Sequence, residues 1–539
     1  MTFSSAIPDL VTEIWQQVKI PVIVPLLRVA VVVGLTMSVM LVIDRLYMSF
    51  IIFMVKLFGK KPEKRYNWEP MQQMHEDLEF GGSVFPMVLI QIPMYNEKEV
   101  YKLSIGAACG LSWPSDRFII QVLDDSTDPT IMEMVERECK RWESKGLNVR
   151  YETRIERKGY KAGALKAGLK LSYVKQCEFV AIFDADFQPE PDFLLKAIPF
   201  LLHNPKIALV QARWTFVNSD ECLLTRMQEM SLNYHFDVEQ EGGSASSAFF
   251  GFNGTAGVWR IAAIDDAGGW KDRTTVEDMD LAVRATLRGW KFLFLSDLKV
   301  KSELPSTLKA FRYQQHRWSC GPTNLFRKMV MDIIRNKNVS SLKKFYVIYN
   351  FFLVRKIVCH AINFMVYCMI LPATTLVPEV EMPKWATVYI PLTVTFLNAI
   401  ATPRSFYLVI FWVLFENVMS LHRTKALFIG LWETKRANEW VVTEKLGQML
   451  KNTNGSRANR KPSIRITESS SDPFSRTLRF SDHASSSERI KHENFQKEIM
   501  LAFSRNYVNF SVGLMMLKYR RSVLKYSRGS KAIKMHGRS

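Results

Sequence analysis

With 539 residues the chain is too long for one ordinary domain and long enough to bury a large core. Hydrophobic residues make up 48% and charged residues 23%, which excludes a wholly disordered chain and a bundle of membrane spans alone, and points to a soluble domain joined to membrane segments. The net charge of +20 is largely a property of residues 454–539, which hold 18 of the 72 Lys and Arg but only 6 of the 52 Asp and Glu; with no nucleic-acid module elsewhere, this reads as a membrane-proximal or solvated tail, and no nucleic-acid partner is expected.

In chain order, residues 1–19 are polar and slightly acidic, unlike a signal peptide. Residues 20–57 are apolar but broken by Arg28 and by the adjacent Asp44 and Arg45. From Val29 onward they supply one membrane span of roughly 20 residues, with an interfacial helix followed by a span as the alternative. Asp44 and Arg45 are expected to offset each other in part or to lie near an interface. The N-terminal segment is thus drawn as residues 1–58.

Residues 59–344 alternate short apolar runs with helical patterns, the texture of an α/β domain. The runs at 87–90, 118–123, 179–183 and 207–210 are predicted strands, and carboxylates follow two of them directly. In open α/β sheets ligands bind at the carboxyl ends of strands. Residues 345–448 hold three apolar stretches, 357–377, 386–401 and 406–421, the last two short for spans unless tilted. The patch 426–432 reads as interfacial. Residues 449–539, rich in Ser, Arg and Lys, are predicted to be disordered, and the apolar run 507–517 is too short to span. The seven cysteines are widely spaced with no Cys-x-x-Cys pair, so neither a zinc site nor a disulfide framework is expected.

Four motifs carry chemistry. Asp124 and Asp125 close the second strand, where a carboxylate can accept hydrogen bonds from a nucleoside; a turn or helix cap accounts for them equally well. Asp184 and Asp186 form an Asp-x-Asp just past the next strand. Such carboxylates can share a hard cation, Mg²⁺ or Mn²⁺, that neutralises a diphosphate leaving group; a solvated loop is the alternative. Thr275-Val276-Glu277-Asp278 leads into a helical pattern, so Asp278 is either a general base for a sugar hydroxyl or an acid favoured by the helix dipole. Gln314, Arg317 and Trp318 are spaced three and four apart on one helix face. Arg suits a diphosphate and Trp a sugar ring, while a membrane-surface helix explains the same residues. Weaker pieces are Pro93–Glu97, the Lys161-bearing stretch 159–164, and the Gly- and Phe-rich stretch 249–255, which is suited to an acceptor groove.

In this order the motifs resemble the D, DxD, TED-like and QxxRW elements of the processive family-2 glycosyltransferases. Residues 122–130, 251–257, 271–280, 313–324 and 415–423 look like the plant cellulose-synthase-like A group, over approximately residues 20–446. That resemblance implies a glycosyltransferase-A-type (Rossmann-like) catalytic domain with transmembrane helices at both ends, and a glucomannan 4-β-mannosyltransferase in the Golgi membrane. It implies GDP-mannose as donor, a growing β-linked glycan as acceptor, contact with membrane lipid, and a homo-oligomer or synthase complex. By the same resemblance Asp125 and Asp278 are catalytic, with Asp125 on the nucleoside side and Asp278 the base. Asp184 and Asp186 bind the metal-diphosphate, while Gln314, Arg317 and Trp318 bind donor phosphate and acceptor. Rival readings are a β-1,4-glucan synthase and a non-catalytic scaffold of a synthase complex. The tail departs from the pattern, standing where the family continues into further membrane segments.

Overall fold

The computed structural model describes residues 15–71 and 85–432. The Ser-rich basic tail, the run 507–517 and most of the polar N-terminal stretch lie outside the described residues.

Among the described residues, three helical runs are long and apolar enough to cross a membrane: Trp15–Leu57, Ser341–Leu376 and Pro403–Trp432; Trp385–Ile400 is a shorter apolar helix. The first contains α1 (Val24–Leu57), whose 34 residues reach about 50 Å at the usual helical rise, against a hydrocarbon core of roughly 30 Å. Residues 426–432 are not a separate patch; they continue the helix that holds 406–421.

Between these runs lies an eight-stranded sheet. Its strands are β1 (Val88–Met94), β2 (Phe118–Asp124), β3 (Val149–Thr153), β4 (Phe179–Ile182), β5 (Gln188–Pro189), β6 (Ile207–Phe216), β7 (Gly257–Arg260) and β8 (Lys291–Ser302), in the order β3-β2-β1-β4-β7-β6-β8-β5. The first four pair in parallel. Parallel neighbours need helical crossovers, and α2 (Pro129–Glu143) and α3 (Tyr160–Gly168) supply two of them. Side chains alternate faces along each strand, so Val88, Ile90 and Ile92 enter one core and Leu89 the other. Both faces are covered, which is why the strands read as unbroken apolar runs. Each such fully buried side chain contributes about 1.5–3 kcal/mol.

β7 runs antiparallel to both neighbours, and its first residue, Gly257, pairs with Ile182, the last of β4. Residues just before β7 therefore meet residues just after β4. Helices α4 (Phe193–His203) and α5 (Leu223–Tyr234) flank β6; α6 (Glu277–Leu287) precedes β8, and α7 (Leu308–Arg335) follows it. The chain then enters α8 (Ser341–Leu376) and ends its described part in α9 (Val409–Trp432).

Asp44 and Arg45 do not offset each other. Successive helical residues point about 100° apart. Asp44 pairs instead with Arg355 on α8, and Arg45 with Glu239 beyond α5.

Candidate active site

The edge where β1, β2 and β4 end gathers most of the acids singled out above. Asp124 is consumed by structure: its two oxygens accept from the Ser126 amide and the Tyr151 hydroxyl, both at 2.9 Å. Asp125 accepts from Arg154 through Nε at 2.9 Å and through Nη2. Arg154 also donates to the carbonyls of Lys158 and Tyr160, each at 3.0 Å. The pair thus ties the end of β2 to the turn that starts α3. Asn96, after β1, donates its amide to Ser126 Oγ at 2.8 Å and ties the end of β1 to the segment after β2.

Past β4 the chain turns at once, since the Phe187 amide donates to the Asp184 carbonyl at 2.9 Å. The Asp-x-Asp is therefore a turn rather than an extended strand. Asp184 donates its amide to Thr255 Oγ1 at 2.9 Å, and its carboxylate accepts from Lys161 Nζ. Lys161 also donates to the Gly254 carbonyl at 2.9 Å. Asp186 is 9% exposed. Among the described residues no group of three or more His, Cys, Asp or Glu is arranged to hold a metal. Asp184 and Asp186 offer two carboxylates, an oxygen donor set that fits a hard divalent cation completing its shell with water and phosphate oxygens.

α6 brings the third motif to this edge. Gly254, at φ +81°, is the closest approach: a Cβ there would lie 2.9 Å from Asp278 Oδ2 and 3.5 Å from Lys161 Nζ. Only glycine combines that backbone angle with that gap. Asp280, fully buried, is held by Arg273 and Arg284 and anchors the helix. Glu277 and Asp278 face Lys161 and Arg317 instead. Burial, with the Asp278 charge beside it, pushes the Glu277 carboxyl up to about 8. Burial likewise pushes Asp278 up to about 6, although the Met279 amide, Lys161 and Arg317 pull it back. Arg317 is lowered by burial and held by Glu277, Asp184 and Asp278, so its charge faces the same space.

α7 reaches this cluster by packing directly on the motif: a Cβ on Gly321 would come 2.6 Å from Val276 Cγ1. Gln314 and Trp318 flank Arg317, both half-buried. The neighbouring Gln315 accepts from Arg423 of α9, at 2.9 Å, and Arg423 pairs with Glu416. The structure thus gathers Asp184, Asp278 and Arg317 around Lys161, places Asp125 at the far side of the α3 turn, and sets Gln314 and Trp318 along α7.

Sequence reasoning named Lys161 only as a lysine beside small residues, and missed Arg154, whose pairing with Asp125 has no local signal. Glu277 was quoted within its motif without a role.

Two family profiles match: glycosyl transferase family 2 over residues 89–261, and glycosyl transferase family group 2 over residues 179–414. Glucomannan 4-beta-mannosyltransferase 2 of Arabidopsis thaliana is 72% identical over 80% of this chain and 81% of its own length. Glucomannan 4-beta-mannosyltransferase 1 of Cyamopsis tetragonoloba is 63% identical over 84% and 86%. Among solved structures, the mannosyltransferase PcManGT from Pyrobaculum calidifontis, in complex with GDP-Man and Mn²⁺, is 18% identical with a TM-score of 0.48, over 74% of this chain and 99% of that one.

Proposed function

The chain belongs to the family of glucomannan 4-β-mannosyltransferases, and from that premise we propose that it extends a β-1,4-mannan or glucomannan backbone from GDP-mannose, with inversion at the anomeric carbon. The observation that carries this reading is the convergence of Lys161, Asp184, Asp278 and Arg317 at one strand edge.

Asp278 takes the proton from the 4-hydroxyl of the terminal acceptor sugar as that oxygen attacks the anomeric carbon. The new glycosidic bond forms as the bond to the diphosphate breaks, and GDP leaves with the electron pair. A carboxyl held near 6 is ionised at neutral pH yet more basic than an exposed aspartate. Lys161 and Arg317 present positive charge to the departing diphosphate. Asp184 and Asp186 would hold Mg²⁺ or Mn²⁺, which when bound neutralises the leaving group's charge. Asp125, oriented by Arg154, faces the nucleoside. Gln314 and Trp318 face the acceptor end, where Trp gives a flat surface for a sugar ring. The helices long and apolar enough to cross a membrane suit a Golgi membrane location.

The test is sugar transfer by membranes that contain the chain, supplied with labelled GDP-mannose, GDP-glucose or UDP-glucose and with Mg²⁺ or Mn²⁺. A polymer made from GDP-mannose and cut by β-mannanase is expected. Polymer from UDP-glucose alone would replace this reading with a glucan synthase. Absence of polymer from every donor would replace it with a scaffold.

A further inference from the structure

Outside this cluster, Asp44, Arg45, Glu239 and Arg355 form a charged group that the proposed chemistry does not use. Asp44 of α1 is 1% exposed, and Arg355 of α8 reaches it with Nε at 3.1 Å and Nη2 at 3.0 Å. Arg45 points elsewhere: its Nη1 donates to Glu239 Oε1 at 2.7 Å, and its guanidinium lies 4.5 Å from the centre of the Tyr234 ring. Glu239 stands in the helical segment His235–Gln240 that continues α5. Its other oxygen accepts from His235 Nδ1 at 2.9 Å.

From here the contacts run to the active site. Gln240 Nε2 donates to the Gly251 carbonyl at 3.1 Å, which fixes which end of that amide is nitrogen. Gln240 Nε2 also donates to Asn253 Oδ1 at 2.7 Å, and Asn253 Nδ2 donates back to Gln240 Oε1 at 3.1 Å. The two amides form a reciprocal pair that Asp or Ala cannot reproduce. Asn253 Oδ1 is thereby an acceptor, so His235 Nε2, 3.3 Å away, donates to it. The His235 ring thus bridges Glu239 and Asn253. The next two residues after Asn253 are Gly254, whose carbonyl holds Lys161, and Thr255, whose hydroxyl holds the Asp184 amide. Gln240 is buried and His235, Glu239 and Asn253 are partly buried, so a displaced member would leave a charge or amide poorly compensated.

We propose that Asn253 is a positioning residue for sugar transfer and that Arg45, on the first membrane helix, sets it through Glu239 and His235. The membrane helix holds residues 253–255 where Lys161, Asp184 and Asp278 meet. The proposal rests on the reading that those three residues carry the transfer.

The test uses the full chain in detergent or liposomes, with Glu239→Gln, Asn253→Asp and Arg45→Lys. The first two should each lower kcat by about 10²-fold, the usual cost of misplacing a reacting group by an ångström. Their donor KM should stay within about twofold. Arg45→Lys keeps the charge and should recover most of the rate. Amide exchange of residues 251–255 should quicken in Glu239→Gln and Asn253→Asp. Unchanged kcat in both would overturn the proposal. So would a parallel loss of kcat, donor affinity and folded protein in both, which would assign the relay to stability alone. If the wild type polymerises a donor other than GDP-mannose, the functional reading is corrected and this test is run on that donor. Unchanged amide exchange overturns the proposal whatever the wild type polymerises.

Discussion

At the strand edge Asp184, Glu277 and Asp278 share two cations, Lys161 and Arg317. Along the first membrane helix, Asp44 has Arg355, and Arg45 has Glu239, which His235 also contacts. Both sets are buried, so both need compensation. In the membrane set each acid faces a hydrogen-bonded arginine, and the pairs act as fasteners. At the strand edge compensation is incomplete, and the surplus appears as carboxyls held far above their usual range. Uncompensated charge is what a site needs if it is to take up a proton and face a charged ligand.

The comparison breaks first at Asp278. Asp278→Asn should lower turnover by about 10²–10⁴-fold while GDP binding, read by calorimetry, changes little. Undiminished turnover would remove the base from this cluster. Next, Asp44→Asn leaves Arg355 buried without its counter-charge and should cost about 3–5 kcal/mol, read as a lowered melting temperature in detergent. A smaller loss would mean that water reaches the pair. Gly321→Ala pushes a methyl toward Val276 and should cost about 1–3 kcal/mol; turnover should fall as well, because α7 carries Arg317. The pH profile comes next. Asp278 must be ionised to accept a proton and is held at about 6, so activity should be flat above that pH and fall about tenfold per unit below it. An acid limb near 4 would mean that burial does not tune this residue. Smallest of all, Arg137→Ala breaks an exposed pair with Glu133 and should change stability by about 0.3–0.5 kcal/mol.

Much of the catalytic edge was legible because it is local in sequence. An apolar run that stops at an acid marks a strand end, as at Ile182 and Asp184, and Gln314, Arg317 and Trp318 announce a helix by spacing. What was not legible is pairing across distance. Arg355 is 311 residues from Asp44, and Glu239 is 194 from Arg45. Neither separation leaves a periodic trace. For the same reason the adjacent Asp44 and Arg45 were expected to answer each other, whereas helix geometry turns them apart. Nor does sequence say which of two neighbouring glutamines grips α9; packing assigns that to Gln315.

The reversed strand has a consequence for how such a site can change. Acids at the ends of β2 and β4 ride on segments leaving parallel strands, whereas Gly254 and Thr255 ride on a segment entering β7. These segments are joined by hydrogen bonds and by no short stretch of covalent chain. Phe249, Phe250 and Phe252 are buried in the core and the Gly251 carbonyl holds Gln240, so a change at 249–252 travels through Asn253 to the segment that meets Asp184. Segments far apart in sequence are thus bound to change together in this fold.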